Sequence, residues 1–280
     1  MSMRVCVLGS GSGGNCTFVE SERTKFLIDA GRLSMRYICT SLEKIGVRIE
    51  EVSAIVATHA HGDHIDGTTY KLIKQYDIQL YVHEDTFPDV MRRCWAFHSL
   101  KDSDTVQLFR GTPFIVGDLQ IEAIEVPHGN GWNIDIVGRP VGFVITEQAG
   151  DTIKKLGFAT DLGEVPEALI RAFTDAHAVI LESNHNVQME LRSGRPQFLI
   201  QWVLSERGHL SNEQAGKALV EIVHRSSRPP KGVLLAHISR DCNTDNVALR
   251  TARAYLSTTD YPDIPMEACY QREISPVIEI

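Results

Sequence analysis

The stretch Thr58-His59-Ala60-His61-Gly62-Asp63-His64-Ile65-Asp66-Gly67 decides how this 280-residue chain is read. His59, His61, Asp63 and His64 are all metal-capable and fall within one short segment. The apolar run 52–57 before it reads as a buried strand, and 68–76 after it as a helix. The cluster therefore occupies a strand-to-helix loop, which can bend so that neighbouring side chains converge. Imidazole and carboxylate together suit Zn, Mn or Fe. A polar turn with spare histidines is the bland alternative, but ligands this dense rarely accumulate without a metal.

Working outward, residues 3–8 read as a first strand and lead into Gly9-Ser10-Gly11-Ser12-Gly13-Gly14-Asn15. Gly9, Gly11 and Gly14 fit G-x-G-x-x-G, and Asp29 stands about where a ribose-binding acid would. A dinucleotide site needs a helix directly after the glycines. Here 16–20 is β-like, 21–24 is a polar turn and 25–28 is β-like again, so a hairpin is expected. The loop then serves to bring backbone N–H groups close to an anion or to the metal loop. A nucleotide-binding protein without enzymatic activity is the alternative this loop leaves open.

Further along, a helix is expected over 35–45, stopping at Gly46. A strand is expected over 79–82, a helix over 84–94, two or three strands within 105–126, and a glycine-rich loop over 130–139. Strands at 141–146 and 156–159 follow, then a helix over 166–173 and a strand over 178–181. Ser211 and Gln214 form a capping box at the start of another helix. A strand over 232–235, a helix over 246–256 and β-like pieces finish the chain. The first half is strand-rich and the second alternates strand and helix, as in one layered α/β domain spanning 1–280.

Lys and Arg number 28 against 36 Asp and Glu, a net charge of −8. Such a chain is a poor general binder of nucleic acid, so any polyanion site must be locally basic. The six cysteines are irregularly spaced with no C-x-x-C pair, which suits a reducing compartment. No leader, transmembrane-length apolar run or internal repeat is evident, and a cytoplasmic protein is expected.

His59, His128, Asp161 and His237 each follow a strand-like apolar run. Ligand sites gather where strands run out into loops. Added to the first cluster, these residues can hold two divalent ions, which activate water and stabilise charge on the attacked centre. That is hydrolytic machinery.

As a set, Leu27-Ile28-Asp29-Ala30-Gly31, the H-x-H-x-D-H run, Pro127-His128, Ala159-Thr160-Asp161 and Ala236-His237 resemble the metallo-β-lactamase fold superfamily over essentially the whole chain. The resemblance implies a four-layer αββα sandwich. It implies that His59, His61 and His128 hold one ion, that Asp63, His64 and His237 hold the other, and that Asp161 bridges them. Asp29 would orient a ligand histidine from behind. Gly9 to Cys16, Glu182-Ser183-Asn184-His185, Gly208-His209-Leu210-Ser211-Asn212 and Ala236-His237-Ile238-Ser239 are similar to the YycJ/WalJ-like branch. That branch implies a nuclease with 5′-to-3′ exonuclease activity on DNA, and His209 resembles a histidine placed at the scissile phosphate. Gly129 departs from the acidic neighbour expected beside His128, and the loop 130–139 is longer than usual. The span between Asp161 and His237 leaves no room for a large inserted nuclease domain.

The expectation is thus a dinuclear metal-dependent phosphodiesterase, a nuclease favouring DNA and using a hydroxide held between the ions. Hydrolysis of small phosphodiesters, thioesters or lactones on the same centre is the alternative. Asp63 and His209 are the catalytic candidates, and Ser12, Asn15, His185 and Ser211 the candidate substrate contacts. His83, His98, His177 and His224 sit in no cluster and read as structural. The basic residues within 192–231 read as a solvated face or, more sharply, as a phosphate track beside His209. The oligomeric state is not readable.

Overall fold

The computed structural model of the protein describes residues 3–129, 137–150 and 152–280. The strands of the first half are β1 (Arg4–Gly9), β2 (Cys16–Glu20), β3 (Lys25–Ile28), β4 (Ala54–Val56), β5 (Gln79–His83), β6 (Val106–Phe109), β7 (Phe114–Val116) and β8 (Leu119–Glu125). Those of the second half are β9 (Val141–Ala149), β10 (Thr152–Ala159), β11 (Ala178–Glu182), β12 (Gly232–Ala236), β13 (Met266–Ala268) and β14 (Ile278–Glu279). The helices are α1 (Met35–Lys44), α2 (Gly67–Tyr76), α3 (Phe87–Arg93), α4 (Glu167–Phe173), α5 (Val187–Leu191), α6 (Gln197–Val203), α7 (Asn212–Arg225) and α8 (Asp245–Leu256).

Among the described residues the strands form two seven-stranded sheets, ordered β14-β1-β2-β3-β4-β5-β6 and β13-β12-β11-β10-β9-β8-β7. Each is antiparallel in one half and parallel in the other: β3 to β6 run parallel in the first sheet, β10 to β13 in the second. Side chains alternate across the pleat. Val5, Val7, Ala54 and Val56 of the first sheet meet Phe143, Phe158, Ile180 and Leu234 of the second in a core between the sheets. Cys6, Leu8 and Ile55 point the other way, onto Ile38 and Leu42 of α1 and Leu72 of α2. Val179, Leu181, Val233 and Leu235 do the same onto Leu169 of α4, Leu219 of α7 and Ala252 of α8. This is the expected αββα sandwich, with strands buried on both faces because helices cover the outer ones.

The hairpin expected after the glycines is present, with Thr17 paired to Ile28 and Glu20 to Lys25. No helix follows Gly14, so the glycine run is not a dinucleotide fingerprint. Five elements differ from the sequence expectations. The helix expected over 84–94 is shorter, because residues 84–86 turn before Pro88 opens α3. β9 and β10 extend past the expected ends at 146 and 156 as a polar antiparallel ribbon, held by pairing rather than by an apolar pattern. The short helices α5 and α6 were not expected, as each offers too few turns for a periodic signal. The loop expected over 130–139 lies outside the described residues from 130 to 136.

Parallel halves aligned in this way bring the C-terminal ends of β3, β4, β10, β11 and β12 to one edge of the sandwich. Asp29, the 58–66 loop, Asp161, Glu182 and His237 sit at or directly after those ends.

Candidate metal centre

Asp29 builds the loop 58–66 from behind. Its Oδ1 accepts from the Thr58 backbone N–H at 2.8 Å, and its Oδ2 accepts from the Thr58 hydroxyl at 2.9 Å and from His64 Nδ1 at 2.7 Å. The His64 ring is thereby fixed with Nε2 facing the site. The Thr58 hydroxyl also lies 3.0 Å from His59 Nδ1 and can accept from it, which leaves His59 Nε2 as a lone pair. Gly31 allows this closure, since a Cβ there would meet the Asp63 carbonyl carbon and the His64 nitrogen at 2.5 Å. Asp66 then caps α2 through the Thr68 N–H.

His59 Nε2, His61 Nδ1 and His128 Nε2 converge. His61 Nδ1 lies 2.9 Å from His59 Nε2 and 3.3 Å from His128 Nε2. Nitrogens bound tetrahedrally to one zinc at ordinary lengths stand about 3.4 Å apart, so the spacing suits a shared cation. His128 follows β8 and donates Nδ1–H to the Gly208 carbonyl at 3.0 Å. Burial pushes the His128 imidazole down to about 4, so it presents a neutral lone pair.

The second group meets at Asp161. His64 Nε2 lies 3.1 Å from Asp161 Oδ2 and 3.6 Å from Asp63 Oδ2. His237 Nε2 lies 3.5 Å from Asp161 Oδ1 and 3.8 Å from Asp63 Oδ2, and His128 Nε2 lies 3.8 Å from Asp161 Oδ1. Asp161 thus stands between the groups: its Oδ2 faces His64, and its Oδ1 faces both His237 and His128. Asp29, Asp161 and His237 all carry left-handed backbones, with φ of 58°, 59° and 54°. Non-glycine residues rarely adopt this conformation, and it clusters at functional sites. Here it turns the chain sharply at each strand end, aiming Asp161 and His237 into the centre and Asp29 onto the back of His64.

The electrostatics favour positive charge. Burial works to raise the Asp161 carboxyl, but His237 and His64 outweigh it and hold it well below the usual range. Asp63 is held at about 2 by His64 and His237 against its own burial. Burial would lower His237, yet Asp161, Asp63 and Glu182 raise it to about 10. Asp161 Oδ2 and His237 Nε2 are buried without a hydrogen-bond partner, an expensive arrangement unless something else meets them. Divalent cations would satisfy both atoms, so the donor set fits the metal chemistry expected of it.

Glu182 is the residue that sequence reasoning missed as a participant. It ends the apolar strand β11 and is fully buried. Its Oε1 accepts from His209 Nδ1 at 2.8 Å and from His237 Nδ1 at 3.0 Å, and its Oε2 from the Leu162 and Leu210 N–H groups at 3.1 Å each. Burial raises its carboxyl, but His209 and His237 outweigh this and bring it to about 2. An acid closing an otherwise apolar strand was the available signal. His209 stacks on His237 with ring centres 5.1 Å apart and stands within reach of Asp161, Glu182 and His237.

The candidate substrate contacts divide. Asn15 joins the centre: its Nδ2 is 3.0 Å from His64 Nε2 and 3.4 Å from Asp63 Oδ2, while its Oδ1 accepts from the Gly11 N–H. Ser12 is exposed, and its carbonyl accepts from Arg32. Two are corrected by their placement. Ser211 is 4% exposed and its hydroxyl is committed to the α7 capping box with Gln214. His185 is buried at 1% and both ring nitrogens lack partners among the described residues, so neither residue faces solvent. The basic segment within 192–231 is also partly neutralised: Arg195 pairs with Glu190 and Asp241, and Arg225 with Glu167 and Glu221. His83 and His177 accept backbone N–H groups, consistent with structural roles. No helix among the described residues is long and apolar enough to cross a membrane.

Residues 24–238 match the beta-lactamase superfamily domain. The chain is 32% identical over 252 residues to the exodeoxyribonuclease YycJ of Bacillus anthracis, covering 89% of this chain and 87% of that protein. It is 30% identical over 262 residues to the exodeoxyribonuclease WalJ of Streptococcus pneumoniae, covering 93% and 90%. The crystal structure of YhfI from Bacillus subtilis, a metallo-β-lactamase fold protein, aligns over the whole of both chains with a TM-score of 0.69 at 17% identity, a likeness of fold. Similarity over most of the chain, together with this fold, makes the protein a metal-dependent hydrolase that belongs to the β-lactamase superfamily, in the branch of its YycJ- and WalJ-like members.

Proposed function

We propose that the protein is a dinuclear metal-dependent phosphodiesterase, a nuclease that releases nucleotides from DNA in the 5′-to-3′ direction. The observation that carries this reading is the Glu182–His209 pair set beside two ligand groups that share Asp161. The names of the YycJ and WalJ relatives support DNA as substrate. His59, His61 and His128 would hold one ion and Asp63, His64 and His237 the other, with Asp161 within reach of both groups. When bound, the ions supply an activated water and neutralise charge on the phosphate. Asp63 would take a proton from that water, and Asn15 positions Asp63 through its Nδ2, 3.4 Å from Asp63 Oδ2. Glu182 keeps the Nδ1 proton of His209 in place, so His209 turns Nε2 to the leaving oxygen and can pass a proton there. Residues 1–280 act as one catalytic domain. The six free cysteines support a reducing, cytoplasmic setting.

The test is a substrate panel on protein reconstituted with Zn, Mn or Fe: single-stranded DNA, duplex DNA and RNA with labels at either end, a nitrophenyl phosphodiester, a thioester and a lactone. Mononucleotide release from the 5′ end of DNA is expected. Turnover of the thioester or lactone with every nucleic acid left intact would replace this reading by small-ester hydrolysis.

A further inference from the structure

The turn from α6 to His209 is tightly packed. The His209 N–H donates to the Val203 carbonyl at 3.1 Å, and a Cβ on Gly208 would stand 2.1 Å from the Trp202 carbonyl oxygen. Gly163, two residues after Asp161, is packed so closely on Ser205 and Glu206 that a Cβ would lie 2.3 Å from the Glu206 backbone. α6 is therefore keyed to both the Asp161 and the His209 loops.

Its two faces differ. Ile200 and Val203 are buried, whereas Phe198 is 62% exposed and Trp202 lies one turn further along the same side. The Trp202 ring stands edge-on to His209 at 5.3 Å and 6.2 Å from His128, and its indole N–H is buried without a partner. A cavity of about 570 Å³ is lined by Phe198, Gln201 and Trp202, with Leu204, Glu206 and Arg207 on its other sides, and Trp202 separates it from His209. Arg207 makes no ion pair among the described residues and reaches only the His128 carbonyl, at 3.4 Å. One turn of helix, about 6 Å from Phe198 to Trp202, spans roughly two base steps at 3.4 Å per nucleotide.

We propose that this cavity is a stacking platform for the unpaired nucleobases of a nucleic-acid strand, next to the phosphate held at the metal centre. Phe198 carries the outer base, Trp202 forms the inner wall and Arg207 meets the backbone. The chemistry commits to a nucleic acid: aromatic faces accept any base, an unpaired guanidinium accepts a phosphate, and the wall residue Trp202 stands directly beside His209 and His128 of the candidate centre. This inference rests on the nuclease reading and adds that the substrate is held with its terminal bases unstacked.

The experiment compares single-stranded DNA with the same strand made abasic at its terminal positions, using metal-loaded wild type, Phe198→Ala and Phe198→Trp. Wild type should favour the normal strand by roughly tenfold in KM. Phe198→Ala should lose that preference and Phe198→Trp keep it. Equal KM values for normal and abasic strands in wild type overturn the proposal while leaving the nuclease reading intact. If wild type cleaves no DNA, the nuclease reading falls and the same strands, carrying 2-aminopurine, serve as equilibrium ligands. Quenching by wild type and its loss in Phe198→Ala then uphold the platform, and no quenching overturns it. A shift from dimer to monomer in Phe198→Ala with the base preference retained assigns this face to a second copy of the chain instead, and also overturns it.

Discussion

Glu182 Oε1 holds His209 Nδ1 at 2.8 Å and, on the same oxygen, His237 Nδ1 at 3.0 Å. One buried carboxylate thus orients both a proposed metal ligand and a proposed proton donor. Removing a carboxylate from water is costly, and four hydrogen bonds offset that cost here.

Glu182→Gln replaces a two-acceptor oxygen site by an amide that cannot stabilise charge on either imidazole. DNA turnover should fall on the order of 10²-fold or more, and metal affinity should weaken about 10–100-fold through His237. Kinetics paired with metal titration check both. Wild-type values for the two together would leave Glu182 a purely structural acid.

His209→Ala should keep the metals and lose turnover on DNA by on the order of 10²–10⁴. A nitrophenyl phosphodiester has a good leaving group and needs no proton, so its hydrolysis should suffer much less. Equal losses on both substrates would make His209 a phosphate clamp. Loss of an ion would instead make it a ligand, a reading that its place near Asp161, Glu182 and His237 makes worth measuring.

The metal-loaded protein should carry about two transition-metal ions per chain. Asp161→Ala should abolish hydrolysis and loosen both ions, since Asp161 stands between the groups, with His64 Nε2 3.1 Å from its Oδ2 and His128 Nε2 3.8 Å from its Oδ1. Elemental analysis decides, and two tightly held ions in an active variant would show that another residue does the bridging.

Asp118 ties the two sheets together at a site remote from the chemistry. It follows the β7 strand, accepts from the Ser21 and Thr24 hydroxyls of the β2–β3 turn, and donates its own N–H to Thr24 Oγ1 at 3.1 Å. Burial raises its carboxyl, but those hydroxyl bonds outweigh it and hold it below the usual range. A carboxyl depressed on folding contributes stability above its unfolded value, near 3.9, and loses it as the pH falls through the folded one. Asp118→Asn should therefore cost about 1–2 kcal/mol at pH 7, and the gap to wild type should narrow below about pH 4. Urea unfolding at pH 7 and pH 3 measures it. A gap that is the same at both values would mean that shape, not charge, matters at this position.

The residues 58–67 determined much by themselves. Four ligand-type side chains between an apolar run and a helix leave few other readings, because local spacing already brings His59, His61, Asp63 and His64 into one loop. The hairpin after Gly14 was equally legible, since β-like residues and a polar turn follow the glycines directly. Alternation and strand-end position also singled out His128, Asp161 and His237, though only as candidates. What tertiary structure decided is which side chains meet. Glu182 ends an apolar strand and looks like an ordinary boundary residue until β11 and β12 align side by side and its carboxylate reaches His209 and His237. Ser211 and His185 look like site residues until the capping box and the surrounding packing turn them inward. α6 carries too little periodicity to be seen, and its aromatic face acquires meaning only because Gly163 and Gly208 press its end against the Asp161 and His209 loops. Local patterns encode ligands that share a loop, while partners drawn from distant strands depend on the register of the parallel sheet and the close backbone approaches that fix it.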